Sequence, residues 1–124
     1  MFLEKLNHLK NKENTPIFAD INTLLKIQEK YGEVRNWLYK LGAEGETIDY
    51  EAMKWTVMTF VNEGISLQNY EKNEDTPLIT ENLAGALITA YGINKMMEKI
   101  VECYANCMGE QEEEDPNLMT KESQ

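Results

Sequence analysis

Apolar residues recur along most of this chain at spacings of three and four, the period of helices that bury one face. Phe2, Leu3, Leu6 and Leu9 open the pattern and predict a short helix over 2–10 that needs a body to pack against. The polar run Asn11 to Pro16 breaks it. Ile21, Leu24, Leu25 and Gln28, widened by Ile27 and Tyr31, predict a second helix that stops at Gly32. The lead-in at Ile17-Phe18 also leaves room for a short strand. A third helix starts at Glu33, runs through Val34, Trp37, Leu38 and Leu41, and closes at Gly42 before the turn residues Ala43-Glu44-Gly45-Glu46.

Asp49 has the side chain of an N-cap, since its carboxylate can accept from free N–H groups in the next turn. The helix behind it is expected from Tyr50 to about Glu63, with Met53, Val57, Phe60, Val61 and Gly64 on one face and Gly64 as its end. Ile65 to Tyr70 then adds a helical turn or leads, as an apolar stretch, into the polar loop Glu71 to Thr76. Thr80 caps the next helix, whose face is Leu83, Ala84, Leu87, Ile88 and Tyr91. After Gly92 the last face is Ile93, Met96, Met97, Ile100, Val101, Tyr104, Cys107 and Met108, ending at Gly109. The two C-terminal helices should pack through Leu83, Leu87, Ile88, Ile100, Val101 and Tyr104. The expected fold is all-α, a compact bundle of about five or six helices.

Composition adds a domain limit. The 124 residues are 42% hydrophobic, enough for one core. Between Glu110 and Gln124 six acids (Glu110, Glu112, Glu113, Glu114, Asp115, Glu122) face one base, Lys121, and apolar residues are few. Such a stretch cannot repay its ordering entropy. The expectation is therefore a helical domain over 1–109 and an acidic, disordered tail over 110–124.

Charge and rare residues then thin out the chemistry. The formal net charge is −10, which argues against a nucleic-acid partner and against anionic membrane, both of which call for clustered Lys and Arg. No signal peptide and no run of about 18 apolar residues is present, so a cytoplasmic protein is expected. One His and two Cys leave too few ligands for a closed zinc site; Cys103 and Cys107, at i and i+4, read better as structural thiols on a core helix. Glu112 to Asp115 lacks the alternating ligands and turn glycine of a calcium loop. No nucleophile motif, phosphate loop or dinucleotide fingerprint occurs. The expectation is no enzyme, no cofactor and no metal.

Met and aromatic residues are the remaining candidates. Met53, Trp55 and Met58 are spread around one helix and cannot all face inward. Trp37 and Tyr39 raise the same question on the preceding helix. Flexible Met and amphipathic aromatics at a surface favour adaptable partner binding. Trp37, Tyr39, Met53, Trp55 and Met58 are thus the candidate partner-binding residues, and wrapping by neighbouring helices is the competing reading.

The order of segments resembles a known family. Phe18-x-Asp20-Ile21-Asn22-x-Leu24-Leu25-x-Ile27-Gln28-Glu29-Lys30-Tyr31-Gly32 is similar to the helix that opens many tail assembly chaperones of long, non-contractile-tailed bacteriophages. Trp55 to Asn69 resembles the family's middle helix, which closes with a Gly–apolar pair, here Gly64-Ile65. Leu78-Ile79-Thr80-Glu81-Asn82-Leu83 to Tyr91-Gly92 resembles its late helix, and a final helix with a polar tail completes the likeness over 17–109. The resemblance implies a non-enzymatic factor that coats the tape measure protein in the host cytoplasm, self-associates as a spiral and is absent from the mature virion. It also implies recruitment of the tail tube protein through a longer, frameshifted form. The motifs are apolar spacings and Gly positions, so no site residue is carried across. The alternative from another class is a small acidic regulator or antitoxin-like binding module.

Overall fold

The computed structural model describes residues 16–109, and all regular structure among them is helical. Five α-helices follow one another: α1 (Ile21–Tyr31), α2 (Val34–Lys40), α3 (Tyr50–Lys72), α4 (Glu81–Tyr91) and α5 (Ile93–Cys107), with a 3-10 turn at Ala43–Gly45. The expected helix over 2–10 and the acidic tail over 110–124 lie outside the described residues.

Local chemistry accounts for most helix ends. At α1 the Asp20 carboxylate accepts from the Thr23 N–H at 3.2 Å, while the Thr23 hydroxyl accepts from the Asp20 N–H at 2.8 Å. Two otherwise orphaned donors are met reciprocally. Asp49 accepts from the N–H groups of Glu51 and Ala52, and Thr80 accepts from that of Leu83. Gly92, at φ 99°, closes α4 and starts α5, a backbone state that a side chain would strain. Residues 16–20 are extended but pair with no strand; the Phe18 N–H donates to the Phe60 carbonyl at 3.1 Å.

The long helix α3 departs from the sequence expectation. It does not stop near Glu63 but runs on to Lys72, where Asn73 takes the left-handed cap at φ 55°. Gly64 is mid-helix and buried. Its role is close approach: a Cβ there would run into the Pro16 carbonyl and come within 3.1 Å of the Ile17 nitrogen. In an open helix, Gly to Ala would stabilise by about 1 kcal/mol. Here the sign reverses. Gly64→Ala is expected to destabilise by about 1–3 kcal/mol, because the backbone of Pro16 and Ile17 must be pushed off the helix. A urea titration checks this, and a variant as stable as the parent would mean that Pro16 is not seated on α3.

The core forms where α2, α4 and α5 meet one side of α3. Trp37, Met53, Val57, Phe60, Leu87 and Ile100 are all within 1% of complete burial. Several residues expected on buried faces fall outside it: Ile21, Leu25 and Gln28 of α1, where Thr23 and Ile27 are buried instead, Ile93 and Val101 of α5, and Met108 after it. Val101 is 53% exposed, because Met96, Ile100 and Cys103 take the inner face of α5 and Val101 lies beyond its edge.

Candidate functional site

Trp37, offered above as a partner-binding residue, is a core residue at 0% exposure. Its ring packs edge-on to Tyr104 (centroids 5.5 Å apart) and tilted against Phe60 (6.1 Å). Its Nε1–H donates to the Thr56 hydroxyl at 2.8 Å, and that hydroxyl donates in turn to the Ala52 carbonyl. Every polar atom of this buried group therefore has a partner. Met53 is likewise 1% exposed on the inner face of α3. Neither residue can meet a partner in the folded domain. Their spacing differs from that of the outer residues, but spacing alone does not say which face a neighbouring helix covers.

Trp55 and Met58 are brought together, half-buried, on the outer face of α3. They line a groove of about 500 Å³ between α1 and α3, with Lys26, Glu29 and Lys30 on the α1 side and Leu78 at one edge. The Trp55 ring is held edge-on by Tyr31, with centroids 5.5 Å apart. Lys30 Nζ lies 5.7 Å from the Trp55 centroid and 5.8 Å from that of Tyr31. A cation within 6 Å of both ring centroids adds a weak cation–π attraction. Burial, and then the charges of Asp49, Glu81 and Glu51, push the Tyr31 phenol above its ordinary pKa.

Leu78 reaches this groove through a strap that the sequence read only as a polar loop. Asn69 clamps Thr76, donating to its carbonyl and accepting from its N–H, both at 3.0 Å. One α3 repeat earlier, Asn62 does the same to Ile79, at 3.0 and 2.7 Å. The loop is thereby tied along the helix, and Leu78 is left 53% exposed at the groove edge. Sequence reasoning missed Leu78, Lys30 and Tyr31 as site residues. The usable signal was the pair of Asn at i and i+7 inside a helix, a poor position for Asn unless its side chain serves another backbone.

Tyr39 lies elsewhere. It lines a separate cleft of about 490 Å³ with Asn36, Lys40 and residues 46–49. The five candidates thus divide into a core pair, a groove pair and one outlier.

The reactive groups offer little to a reaction. Burial pushes the Cys103 thiol up to about 11, with Glu102 adding and Lys99 opposing, and its Sγ–H donates to the Ile17 carbonyl at 3.6 Å. Burial first, and then Asp20, also raises Cys107. Both stay protonated near neutrality, which is poor for a nucleophile. A hydrogen bond that the protonated Glu63 carboxyl donates to the Asp20 carboxylate raises Glu63 above its usual range, burial adds, and Asn22 Nδ2, donating at 3.2 Å, opposes. Stability linked to that proton is present below the ordinary carboxylate pKa and is lost as pH rises through the raised one. Among the described residues no three His, Cys, Asp or Glu gather to hold a metal ion, and no helix is long and apolar enough to cross a membrane.

Comparison with protein-family models, curated proteins and solved structures finds no match to this chain.

Proposed function

We propose that this protein is a non-enzymatic tail assembly chaperone of a long-tailed bacteriophage, coating the tape measure protein before the tail tube grows around it. The observation that carries the reading is the groove of Trp55, Met58 and Leu78. Its apolar side chains, Trp55, Met58 and Leu78, stand among Lys26, Glu29, Lys30, Thr59, Asn62, Glu63 and Ser66 between two helices. An amphipathic helix fits such a channel, with its apolar stripe on Trp55 and Met58 and its flanks near Lys26, Lys30 and Glu29. A tape measure is a long helical chain that would aggregate through its apolar stripes. Many copies of a small domain, each binding weakly, mask those stripes and still release them to the tube. The formal charge of −10 keeps such a coat soluble. Gly32 and Gly92 stop helices as the family resemblance implies, whereas Gly64-Ile65, its expected middle stop, lies inside α3. Spiral self-association and recruitment of the tail tube protein belong to the same proposal.

Co-expression with the tape measure protein tests it. The expected result is a soluble complex with several copies of this domain per tape measure chain, stable to moderate salt because apolar contacts are not screened. Met58→Asp places a carboxylate in the groove and should weaken the complex by at least about tenfold, with the circular dichroism spectrum unchanged. A tape measure that stays insoluble beside abundant folded domain would remove the chaperone reading. It would leave the regulator or antitoxin-like module as the better account.

A further inference from the structure

The Trp55 and Tyr31 rings meet edge to face at 80°, with centroids 5.5 Å apart. Lys30 Nζ stands 5.7 Å from one centroid and 5.8 Å from the other, so the three centres form a nearly equilateral triangle. Two aromatic walls facing one ammonium make a cation site, and its occupant is the chain's own side chain. That occupant is loosely held. Both distances lie near the outer limit of about 6 Å at which a ring attracts a cation, and Lys30 is exposed. Trp55 and Lys30 also line the α1–α3 groove, so the corner is open to whatever lies in it.

The charge around the corner is negative. Inside the groove, Lys26 and Lys30 are balanced by Glu29 and Glu63. Besides burial, the Tyr31 phenol feels the charges of Asp49, Glu81 and Glu51. Asp49 is shared with Lys40 at 3.7 Å, and Glu51 and Glu81 are exposed.

We infer that the Trp55–Tyr31 corner is a receptor for a cationic side chain of the partner: an arginine or lysine beside the partner's apolar stripe takes the place of Lys30 over the two rings. The inference deepens the groove reading and rests on it for the identity of the partner. Arginine suits the corner better than lysine, because its flat guanidinium stacks on aromatic faces and is more weakly hydrated than an ammonium. An acidic side chain would meet ring faces of its own sign. Lys30 is then a self-ligand that competes with the incoming cation and lowers its apparent affinity. A helix without a cation at that position leaves Lys30 in place and gains nothing from the corner. The groove thereby chooses among amphipathic helices.

Titration of the full chain, followed by its indole N–H resonances, tests the inference. The two tryptophans give two signals; Trp55→Leu removes one and assigns it, while that of Trp37, bonded to Thr56 in the core, records the fold. Butylguanidinium, a stand-in for an arginine side chain, should shift the Trp55 signal saturably and leave the Trp37 signal in place. Butylurea has the same shape without the charge and should bind about two- to fivefold more weakly, the strength of one exposed cation–π contact. Lys30→Gln should tighten butylguanidinium by about two- to fivefold, since the self-ligand is gone. Lys26→Gln removes an equal charge one helical turn away without vacating the rings, and should do less. Equal binding of butylurea and butylguanidinium would overturn the inference. So would a preference for pentanoate, or an effect of Lys26→Gln that matches Lys30→Gln. Co-expression with the tape measure protein is decided separately. An insoluble tape measure beside a chain that passes these titrations removes the chaperone role and keeps the cation receptor for another helical partner. A soluble complex formed by a chain that fails them removes the receptor alone.

Discussion

Trp37→Ala is expected to cost about 3–5 kcal/mol, the range for emptying a large aromatic site in a core. The indole is fully buried and touches helices on two sides, with Phe60 of α3 and Tyr104 of α5 against its ring. Its removal leaves a cavity at the junction of α2, α3 and α5. It also takes a donor from the buried Thr56 hydroxyl, though Thr56 keeps its bond to Ala52. Trp37→Phe separates the two effects: most of the volume stays, and the loss should fall to about 1–2 kcal/mol. Since a domain of this size holds only about 5–15 kcal/mol in total, the alanine variant should approach unfolding at physiological temperature. Urea titration of the three proteins measures both differences. An alanine variant within about 0.5 kcal/mol of the parent would place Trp37 at the surface and restore it as a partner-binding residue.

Leu87→Ala and Ile100→Ala should each cost about 2–5 kcal/mol, because both side chains are 0% exposed where α4 and α5 close on α3. Val101→Ala, one position along α5, is expected to stay within about 0.5 kcal/mol, as its side chain is 53% exposed. The contrast is the informative quantity, since Ile100 and Val101 are neighbours of similar hydrophobicity. Chemical denaturation of the three variants reads it directly. Equal losses at 100 and 101 would mean that α5 is rotated about its axis relative to the arrangement described above.

The tertiary structure changes the meaning of Gly64 most. A glycine after an apolar helical run reads locally as a stop, because Gly tolerates the left-handed cap and costs helix stability. Nothing local tells that residue from one whose missing Cβ admits another stretch of backbone. The partner is Pro16, 48 positions away, and only folding brings it there. The stop signal that α3 does use is Asn73, with the clamps of Asn62 and Asn69 tying the following loop back along the helix.

The candidate site was half legible for a related reason. Trp55 and Met58 could be picked out because they sit off the apolar stripe of their own helix, which is a property of one element. Met53 already shared the apolar stripe with Val57 and Phe60, but Trp37 could not be placed, since its exposure depends on which neighbour covers which face. The sequence by itself determined the helices, their caps at Asp49, Thr80, Gly32 and Gly92, and the all-α class, because period and capping act within a few residues. Only the tertiary structure decided that α3 runs past Gly64, that Trp37 is interior, and that Lys30, Tyr31 and Leu78 join Trp55 in one groove. Those contacts link segments far apart in the chain, and long-range packing selects among faces that local periodicity leaves equivalent.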